Sequence, residues 1–405
     1  MSDKKLTRGF IGFKVFRNFT FYAGIMQLYL VSQGISFEMI MLAYGIQSVT
    51  MMLFEIATGI FADRFGRRLS LIAGVAIRAL GIMLLFAWAE PLGVIVGFIL
   101  VSLGLAFISG SDSALIFDAT QKNPQSGSYR RLESLGYLVE LGVYGGAAAL
   151  GSVIAELTSL SVPVVMSALL SPIAILFALM LPSDRHERRT ASLPRNPLLQ
   201  FLRVMGVVIR HPPLRAAALA FIVFYALVDA GTILYQPALA DHGVATIWFG
   251  VGVAVMVVVD MAGVWAGNRT PLALLSRGKS VLLVSTIFGG FIFACLAAYW
   301  AAPSFAIALL IAGFLLHAFG DGLQYPLVRI WANESFEGVE RATMMSVLAS
   351  AGLLLIGAMH AINGVLIGIG GTQLAFVCVL AIWAAGSIGC WQALRRIKLP
   401  TKQGS

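Results

Sequence analysis

The sequence predicts an all-α membrane protein with twelve transmembrane helices in two pseudo-symmetric halves of six. Of its 405 residues, 59% are hydrophobic and only 12% are charged, about half the charged fraction of a typical soluble protein. Its apolar residues form runs close to the roughly 20 residues that a helix needs to cross a bilayer. Its Lys and Arg residues collect at every second loop, as in a multi-pass membrane protein.

The apolar runs predict the spans in order along the chain. They cover residues 12–32, 39–61, 69–88, 92–119, 131–155, 160–181, 214–238, 246–267, 280–300, 304–330, 342–368 and 371–394. The longest loop divides the chain into a half at 1–181, a cytoplasmic linker at 182–213 and a half at 214–405. Within this linker, residues 196–213 predict an amphipathic helix that lies at the membrane interface and stops at Pro212.

The basic residues predict the topology. Every odd-numbered loop lacks Lys and Arg, whereas at least two lie in or beside every even-numbered loop, and Lys14 and Arg17 are counted with the N-terminal charges. Because positive loops stay inside, both termini are expected in the cytoplasm. The net charge of +9 is then explained by topology and anionic lipid headgroups, and no nucleic-acid partner is expected.

Several classes of chemistry lack their sequence signals. Cys295, Cys378 and Cys390 lie in apolar runs without CxxC spacing, which predicts buried thiols and no metal site. The chain contains no G-x-x-x-x-G-K-[ST], so an ATP-driven pump is not indicated, and no cofactor is expected. A membrane-embedded enzyme is a remote alternative, because H-E-x-x-H and G-x-S-x-G are also missing.

Ionisable residues inside predicted spans are candidate proton carriers, because charges at bilayer depth are costly. Arg78 and Asp112 lie at similar depths and predict a buried ion pair, which could also be purely structural. His317 and Asp321 share one face of span 10, where Asp321 could couple to protons or simply be hydrogen-bonded. Glu140 and Asp229 are the next candidates.

The two halves also show internal similarity. "SGSDSALIFDA" in span 4 corresponds to "FGDGLQYPLVR" in span 10, which places Asp112 and Asp321 at matching positions. The ten residues from Gly59 to Arg68, "GIFADRFGRR", join spans 2 and 3. They resemble the loop signature G-x-x-x-D-R-x-G-R-R of the major facilitator superfamily. The longer "EIATGIFADRFGRR" is similar to a bacterial efflux subgroup that carries E-[IV]-P-T-G, although Ala57 replaces the proline. This resemblance implies a protein of the bacterial inner (plasma) membrane.

The resemblance implies a conformational latch between the halves. Gly59 and Gly66 are expected to permit close approach and a sharp turn, while Asp63 faces the start of span 11 after Arg341. Arg67 is expected to pair with Asp63 and Asp118, although these charges could merely orient the loop. The expected latch residues are Gly59, Asp63, Arg64, Gly66, Arg67, Arg68, Asp118 and Arg341.

The resemblance further implies that spans 1, 4, 7 and 10 line a central path. The polar and aromatic side chains expected to face it are Asn18, Tyr22, Gln27, Tyr137, Tyr144, Tyr225, Gln236, Gln324 and Tyr325. Tyr29 and Tyr235 are expected as anchors near the outer face. Drug–proton antiporters of the superfamily often carry an arginine in span 4, where this chain has Ala106, and a G-P pair in span 5, which this chain lacks.

The leading functional hypothesis is a monomeric secondary transporter with alternating access. Proton-coupled export of a small amphipathic organic molecule (a drug, siderophore or metabolite) is favoured. Uptake of a small polar metabolite such as a sugar or an organic acid is the alternative. An anionic substrate would need more cations in the cavity than Arg78 supplies, which counts against organic acids.

Overall fold

A computed structural model of the chain describes residues 3–121, 129–183, 197–269, 272, 275–330 and 341–395. Within these ranges the protein is helical and has no β-strand. The α-helices are α1 Asp3–Arg17, α2 Met26–Ser32, α3 Phe37–Phe65, α4 Arg67–Ala87, α5 Pro91–Ile108, α6 Ser111–Gln121, α7 Tyr129–Leu157, α8 Ser161–Leu170, α9 Ala174–Met180, α10 Pro197–Arg210, α11 Pro212–Asp241, α12 Ile247–Gly267, α13 Arg277–Ala298, α14 Pro303–Gln324 and α15 Arg341–Arg395.

Ten segments of the described chain are long and apolar enough to cross a membrane. The last of them, Met344–Leu394, has 51 residues, about twice the length that one crossing needs. Its backbone leaves the helical conformation at Gly370 and Gly371, where predicted spans 11 and 12 meet. These features are consistent with the predicted twelve spans.

Four predicted spans, the first, fourth, sixth and tenth, are not continuous α-helices. The first is broken between α1 and α2, where turns such as Asn18 N–H to Val15 O replace the helical pattern. The fourth is interrupted at Gly110, whose φ of +71° is readily adopted by glycine. The sixth is divided between α8 and α9 by the 3₁₀-helix Ser171–Ile173. The tenth continues beyond α14 as a π-helix over Tyr325–Arg329, and π-helical turns occur frequently at functional sites.

The linker helix is present as α10 and ends one residue before the Pro212–Pro213 pair that opens α11. One face of α10 is buried at Val204 and Val208, and α10 packs against α11. Leu202 and Ile209 are exposed on the rest of its surface. This pattern matches the expected amphipathic helix.

The chain forms two compact units. The first comprises Met1–Ala191 and Gly243–Val257, and the second comprises Ser192–His242 and Val258–Ser405. The first unit contains two apolar cores, one around Phe10 and Phe13 and the other around Tyr29 and Phe98. Ser152 of α7 also donates a hydrogen bond of 2.8 Å to the Ile247 carbonyl oxygen at the start of α12. The proposed boundaries 1–181, 182–213 and 214–405 remain a prediction.

The second unit is built mainly on two helix pairs. α11 packs along α15, and α13 packs along α14. Phe224 of α11 stacks on Phe288 of α13 at a centroid distance of 5.9 Å, which connects the two pairs. This packing buries His317 of α14 and His360 of α15 inside the unit.

Candidate functional site

Four charged residues meet inside the first unit, and we call Lys14, Arg17, Asp112 and Glu140 the Lys14 cluster. Lys14 Nζ lies 2.8 Å from both Asp112 Oδ2 and Glu140 Oε2. Arg17 Nη1 lies 3.1 Å from Asp112 Oδ2, and Arg17 Nη2 lies 2.5 Å from Glu140 Oε1. Each carboxylate therefore contacts both cations, so the cluster has no net charge. The sequence groups Lys14 and Arg17 with the N-terminal charges, whereas the structure shows both in ion pairs among the helices of the first unit.

The local sequence explains how α1 brings these cations together. Lys14 and Arg17 are three residues apart in the last turn of α1, so they project from the same face. Positive side chains at this end also interact favourably with the unpaired carbonyl groups of the helix. Asn18 donates its side-chain N–H to the Lys14 carbonyl oxygen at 2.8 Å, which stabilises the point where the helix ends.

Arg78 is close to the Lys14 cluster but makes a different contact from the one expected. The predicted Arg78–Asp112 ion pair is wrong, because Asp112 is held by the two cations of α1. Arg78 instead donates from Nη1 to the Arg17 carbonyl oxygen at 2.5 Å. Its side chain is buried, and its Nε atom has no hydrogen-bond partner among the described residues.

A second group of ionisable residues lies in the second unit, and we call Asp229, His317, Asp321 and His360 the His317 cluster. His360 Nε2 of α15 lies 2.8 Å from Asp229 Oδ2 of α11. His317 of α14 interacts electrostatically with Asp229 and Asp321. The structure thus brings together three of the expected proton-coupling residues and adds His360 to them.

The orientation of His317 depends on α11 and α13. Its Nε2 atom lies 2.8 Å from the Val228 carbonyl oxygen, and its ring packs against Phe291 with centroids 5.0 Å apart. The absence of a side chain at Gly231 makes room for the imidazole. Within the part of the chain that the structure describes, the Nδ1 atom is buried without a hydrogen-bond partner. Asp321 accepts a hydrogen bond of 3.2 Å from Gln324.

The loop between α3 and α4 contains a partly exposed ion pair. Arg67 Nη1 lies 2.5 Å from Asp118 Oδ2 and also donates to the Ala114 carbonyl oxygen at 2.8 Å. Arg68 donates to the Leu181 carbonyl oxygen at 3.3 Å. The Arg67–Asp118 contact expected from the sequence is therefore present, while its function as a latch remains a prediction.

The other expected latch residues differ in their backbone conformation and exposure. Gly66 has a φ of +99° and ends α3, in agreement with a sharp turn. The expected close approach at Gly59 is wrong for the described residues, because a Cβ atom there would meet nothing within 4 Å. Asp63 and Arg64 are exposed. The backbone of Arg341 begins α15, but its side chain lies outside the described part of the chain.

The expected cavity residues differ widely in exposure. Gln27, Gln236 and Gln324 are buried, whereas Tyr137 and Tyr325 are about half exposed. The remaining members are partly buried: Asn18, Tyr22, Tyr144 and Tyr225.

The two tyrosines expected at the outer face are also buried. Tyr29 and Tyr235 are 1% and 5% exposed, so the expectation that both are outer-face anchors is wrong. The Tyr29 hydroxyl group instead donates a hydrogen bond of 3.4 Å to the Leu85 carbonyl oxygen, and the ring of Tyr235 packs edge-on against Phe314. Both rings therefore contribute to helix packing.

Sequence reasoning missed two members of the Lys14 cluster and one further carboxylate of α7. Lys14 and Arg17 are misassigned because they lie near the N-terminus, although both fall inside predicted span 1. Glu133 is also missed, although it precedes Glu140 by two turns of α7 and accepts a hydrogen bond from Ser113 at 2.5 Å. The useful signal is the position of each charge within an apolar run, regardless of its distance from a terminus.

The fold agrees with that of solved transporters at low sequence identity. A mutant of the nucleoside transporter NupG aligns with a TM-score of 0.77 and 12% identity over 96% of this chain and 99% of its own. The POT family transporter PepTSo aligns with a TM-score of 0.73 and 13% identity over 98% of each chain. A bacterial homolog of the human lysosomal transporter Spinster aligns with a TM-score of 0.67 and 17% identity over 97% of each chain.

Sequence comparison defines the family. The sequence matches no curated protein. Residues 9–285, more than half of the chain, match the family model described as Major Facilitator Superfamily. This match spans both the Lys14 cluster and the signature loop, and it agrees with the helical fold and its apolar segments. The chain belongs to the Major Facilitator Superfamily.

Proposed function

We propose that this protein is a proton-coupled secondary transporter of a small amphipathic organic molecule, and that it works by alternating access as an exporter. The observation that carries proton coupling is the 2.8 Å approach of His360 to Asp229, beside His317. Histidine is the side chain that ordinarily changes charge between pH 5 and 8. A histidine beside a carboxylate can pass a proton to it or accept one from it, which suits proton coupling.

The two clusters differ in the partners of their carboxylates. Asp112 and Glu140 are held by Lys14 and Arg17, side chains that stay charged at neutral pH. Neither Asp229 nor Asp321 has a lysine or arginine within ion-pair distance in the described residues. We therefore assign proton uptake and release to the His317 cluster, and a structural or substrate-contacting function to the Lys14 cluster.

The direction of transport is proposed from the sequence. The "EIATGIFADRFGRR" stretch resembles an efflux subgroup, which supports export. Uptake of a small polar metabolite is the competing proposal, because the similar solved structures include a nucleoside transporter and POT family transporters. Their identities of 12% and 13% support a common fold only.

Accumulation measurements in an efflux-deficient bacterium test both coupling and direction. Cells expressing the wild type are given dyes, antibiotics and siderophore-like metabolites, with and without an uncoupler. Export predicts lower accumulation than in cells with an empty vector, and the difference is lost on uncoupling. Higher accumulation establishes uptake instead.

Variants of two aspartates on α11 test the assigned cluster. Asp229→Asn is expected to abolish the effect of the uncoupler. Asp241→Asn is the matched control, because Asp241 is exposed at the end of the same helix and accepts a hydrogen bond of 3.0 Å from Tyr299. If Asp229→Asn and Asp321→Asn both retain uncoupler-sensitive transport, proton coupling does not occur at the His317 cluster.

A further inference from the structure

Arg78 is a buried arginine with no ion-pair partner in the described part of the chain. The residue is 8% exposed, its Nη1 atom donates to the Arg17 carbonyl oxygen, and its Nε atom has no partner there. A guanidinium group carries five N–H donors and stays charged in proteins. Because a buried charge without a counter-charge is unfavourable, this position favours an anion.

Two neighbouring carboxylates are already engaged, because Asp112 and Glu140 each contact both cations of the Lys14 cluster. Glu133 accepts a hydrogen bond from Ser113 through Oε1, while its Oε2 atom is buried without a partner among the described residues. Glu133 lies seven residues from Glu140, about 10 Å along α7, and forms no ion pair with Arg78 in the described chain. The Lys14 cluster and Arg78 together contain three cations and two anions, so the excess charge is positive.

Two tyrosines add neutral hydrogen-bond donors beside this charge. Tyr144 of α7 interacts electrostatically with Arg78 and with Tyr22, and both tyrosines are partly buried. Tyr22 lies in the break between α1 and α2, and discontinuous helices frequently form the binding sites of secondary transporters. A planar guanidinium fork and phenolic hydroxyl groups suit a carboxylate.

We propose that Arg78, Tyr144 and Tyr22 bind the carboxylate group of the transported molecule, which makes amphipathic monocarboxylates the substrate class. This inference rests on the proposed function in taking the bound anion as the substrate. Of the cations Lys14, Arg17 and Arg78, the first two are neutralised by Asp112 and Glu140. The expectation that organic acids are disfavoured is reversed because one buried guanidinium without a counter-charge is sufficient to pair with a single carboxylate. Arg78 is the one among these cations that remains available to a ligand.

Equilibrium binding to the full chain tests the site without a proton gradient. The protein is placed in nanodiscs of phosphatidylcholine, a lipid without net charge, and titrated calorimetrically with 3-phenylpropionate, hexanoate and the amide of each acid. The wild type is expected to bind each carboxylate at least about tenfold more tightly than its amide, since only the carboxylate forms charge-assisted hydrogen bonds. An absence of this preference in the wild type overturns the proposal.

Variants assign the preference to Arg78. Arg78→Gln is expected to bring the carboxylate-to-amide ratio close to one, and Arg78→Lys to preserve part of it. Arg8→Gln is the matched control, because it removes an exposed arginine from α1 and is expected to leave the ratio unchanged. If Arg78→Gln keeps the tenfold preference, Arg78 only caps the end of α1 and the proposal is wrong. If Arg78→Gln does not fold, the proposal is tested by the carboxylate-to-amide binding ratios of the wild type and of Arg78→Lys.

Two further measurements distinguish a substrate carboxylate site from a general anion site and from proton coupling. Chloride or phosphate that displaces phenylpropionate at equal concentration would identify a general anion site and overturn the substrate assignment. Proton flux is measured separately in proteoliposomes. A retained carboxylate preference without proton flux would refute the proposed coupling while supporting the carboxylate site.

Discussion

His360 Nε2 lies 2.8 Å from Asp229 Oδ2 and thereby joins α15 to α11 within the second unit. The histidine side chain is 3% exposed, whereas that of the aspartate is 37% exposed. One partner is thus buried in the helix packing and the other remains accessible. This arrangement suits exchange of a proton at the carboxylate while the histidine holds its position.

Replacement of His360 by Gln is expected to flatten the dependence of transport on pH. Glutamine retains hydrogen-bonding capacity but cannot take up a proton beside Asp229, and we expect a loss of about tenfold at the optimum of the wild type. Initial transport rates in proteoliposomes at several pH values provide the measurement. His242→Gln is the control, because His242 lies beyond α11 and contacts the Ala238 carbonyl oxygen. An unchanged pH profile for His360→Gln would rule out this role.

Lys14→Met is expected to destabilise the first unit, because it leaves Asp112 and Glu140 with one cation instead of two. Breaking a buried ion pair by removal of one partner costs about 3 kcal/mol or more. The double substitution Lys14→Met with Glu140→Gln is expected to recover part of this loss by restoring charge balance. Thermal unfolding in detergent measures both effects.

Lys5→Met is the control for this pair of variants, because it alters an exposed lysine of the same helix and should have little effect. If Lys14→Met melts at the same temperature as the wild type, the ion pairs of Lys14 do not stabilise the first unit.

Gly231→Ala is expected to displace His317, since a Cβ atom at this position would lie 2.1 Å from Cδ2 and 2.2 Å from Nε2 of the imidazole. Overpacking of this kind costs about 1–3 kcal/mol, and the 2.8 Å contact with Val228 should be lost. The variant should therefore melt at lower temperature and transport more slowly. Gly142→Ala is the control, because a Cβ atom there meets nothing within 4 Å in the described chain. Equal behaviour of the two variants would show that His317 does not need its observed position.

Asp118→Asn is expected to change the transport rate severalfold, while the free energy of unfolding changes by less than about 1 kcal/mol because exposed ion pairs contribute little to stability. The side chain of Asp118 is 37% exposed in its pair with Arg67. Initial rates and chemical unfolding of the same preparation give the two quantities. Stability loss with an unaltered rate would favour the simpler view that these charges only orient the loop.

Predictions from the sequence succeeded where one pattern along the chain was sufficient. The amphipathic helix α10 ends at Arg210, separated from Pro212 by one residue, as its composition predicts, because proline cannot continue a preceding helix without losing a hydrogen bond. The turn at Gly66 follows from the same kind of local constraint. By contrast, continuous helices were predicted for spans 1 and 4, which are broken near Asn18 and Gly110, because hydropathy does not report short breaks inside an apolar run.

Partners of charged residues were predicted less well. Arg78 and Asp112 lie at matching depths, yet Asp112 pairs with Lys14 and Arg17. Depth restricts a residue to a layer of the membrane, but it does not specify the direction in which the side chain projects or which helix lies beside it. The same reason explains why His360 was not paired with Asp229 from the sequence.

The membrane class, the helical fold and the signature loop can be read from the amino-acid order alone, because they depend on hydropathy, segment length and local turn chemistry. Which charges neutralise each other is known only from the folded chain. Lys14 and Arg17 pair with Asp112 and Glu140, whereas Arg78 contacts a carbonyl oxygen. These pairings depend on the rotation and packing of whole helices. Such packing is set by the combined contacts of many side chains, so no single stretch of sequence specifies it.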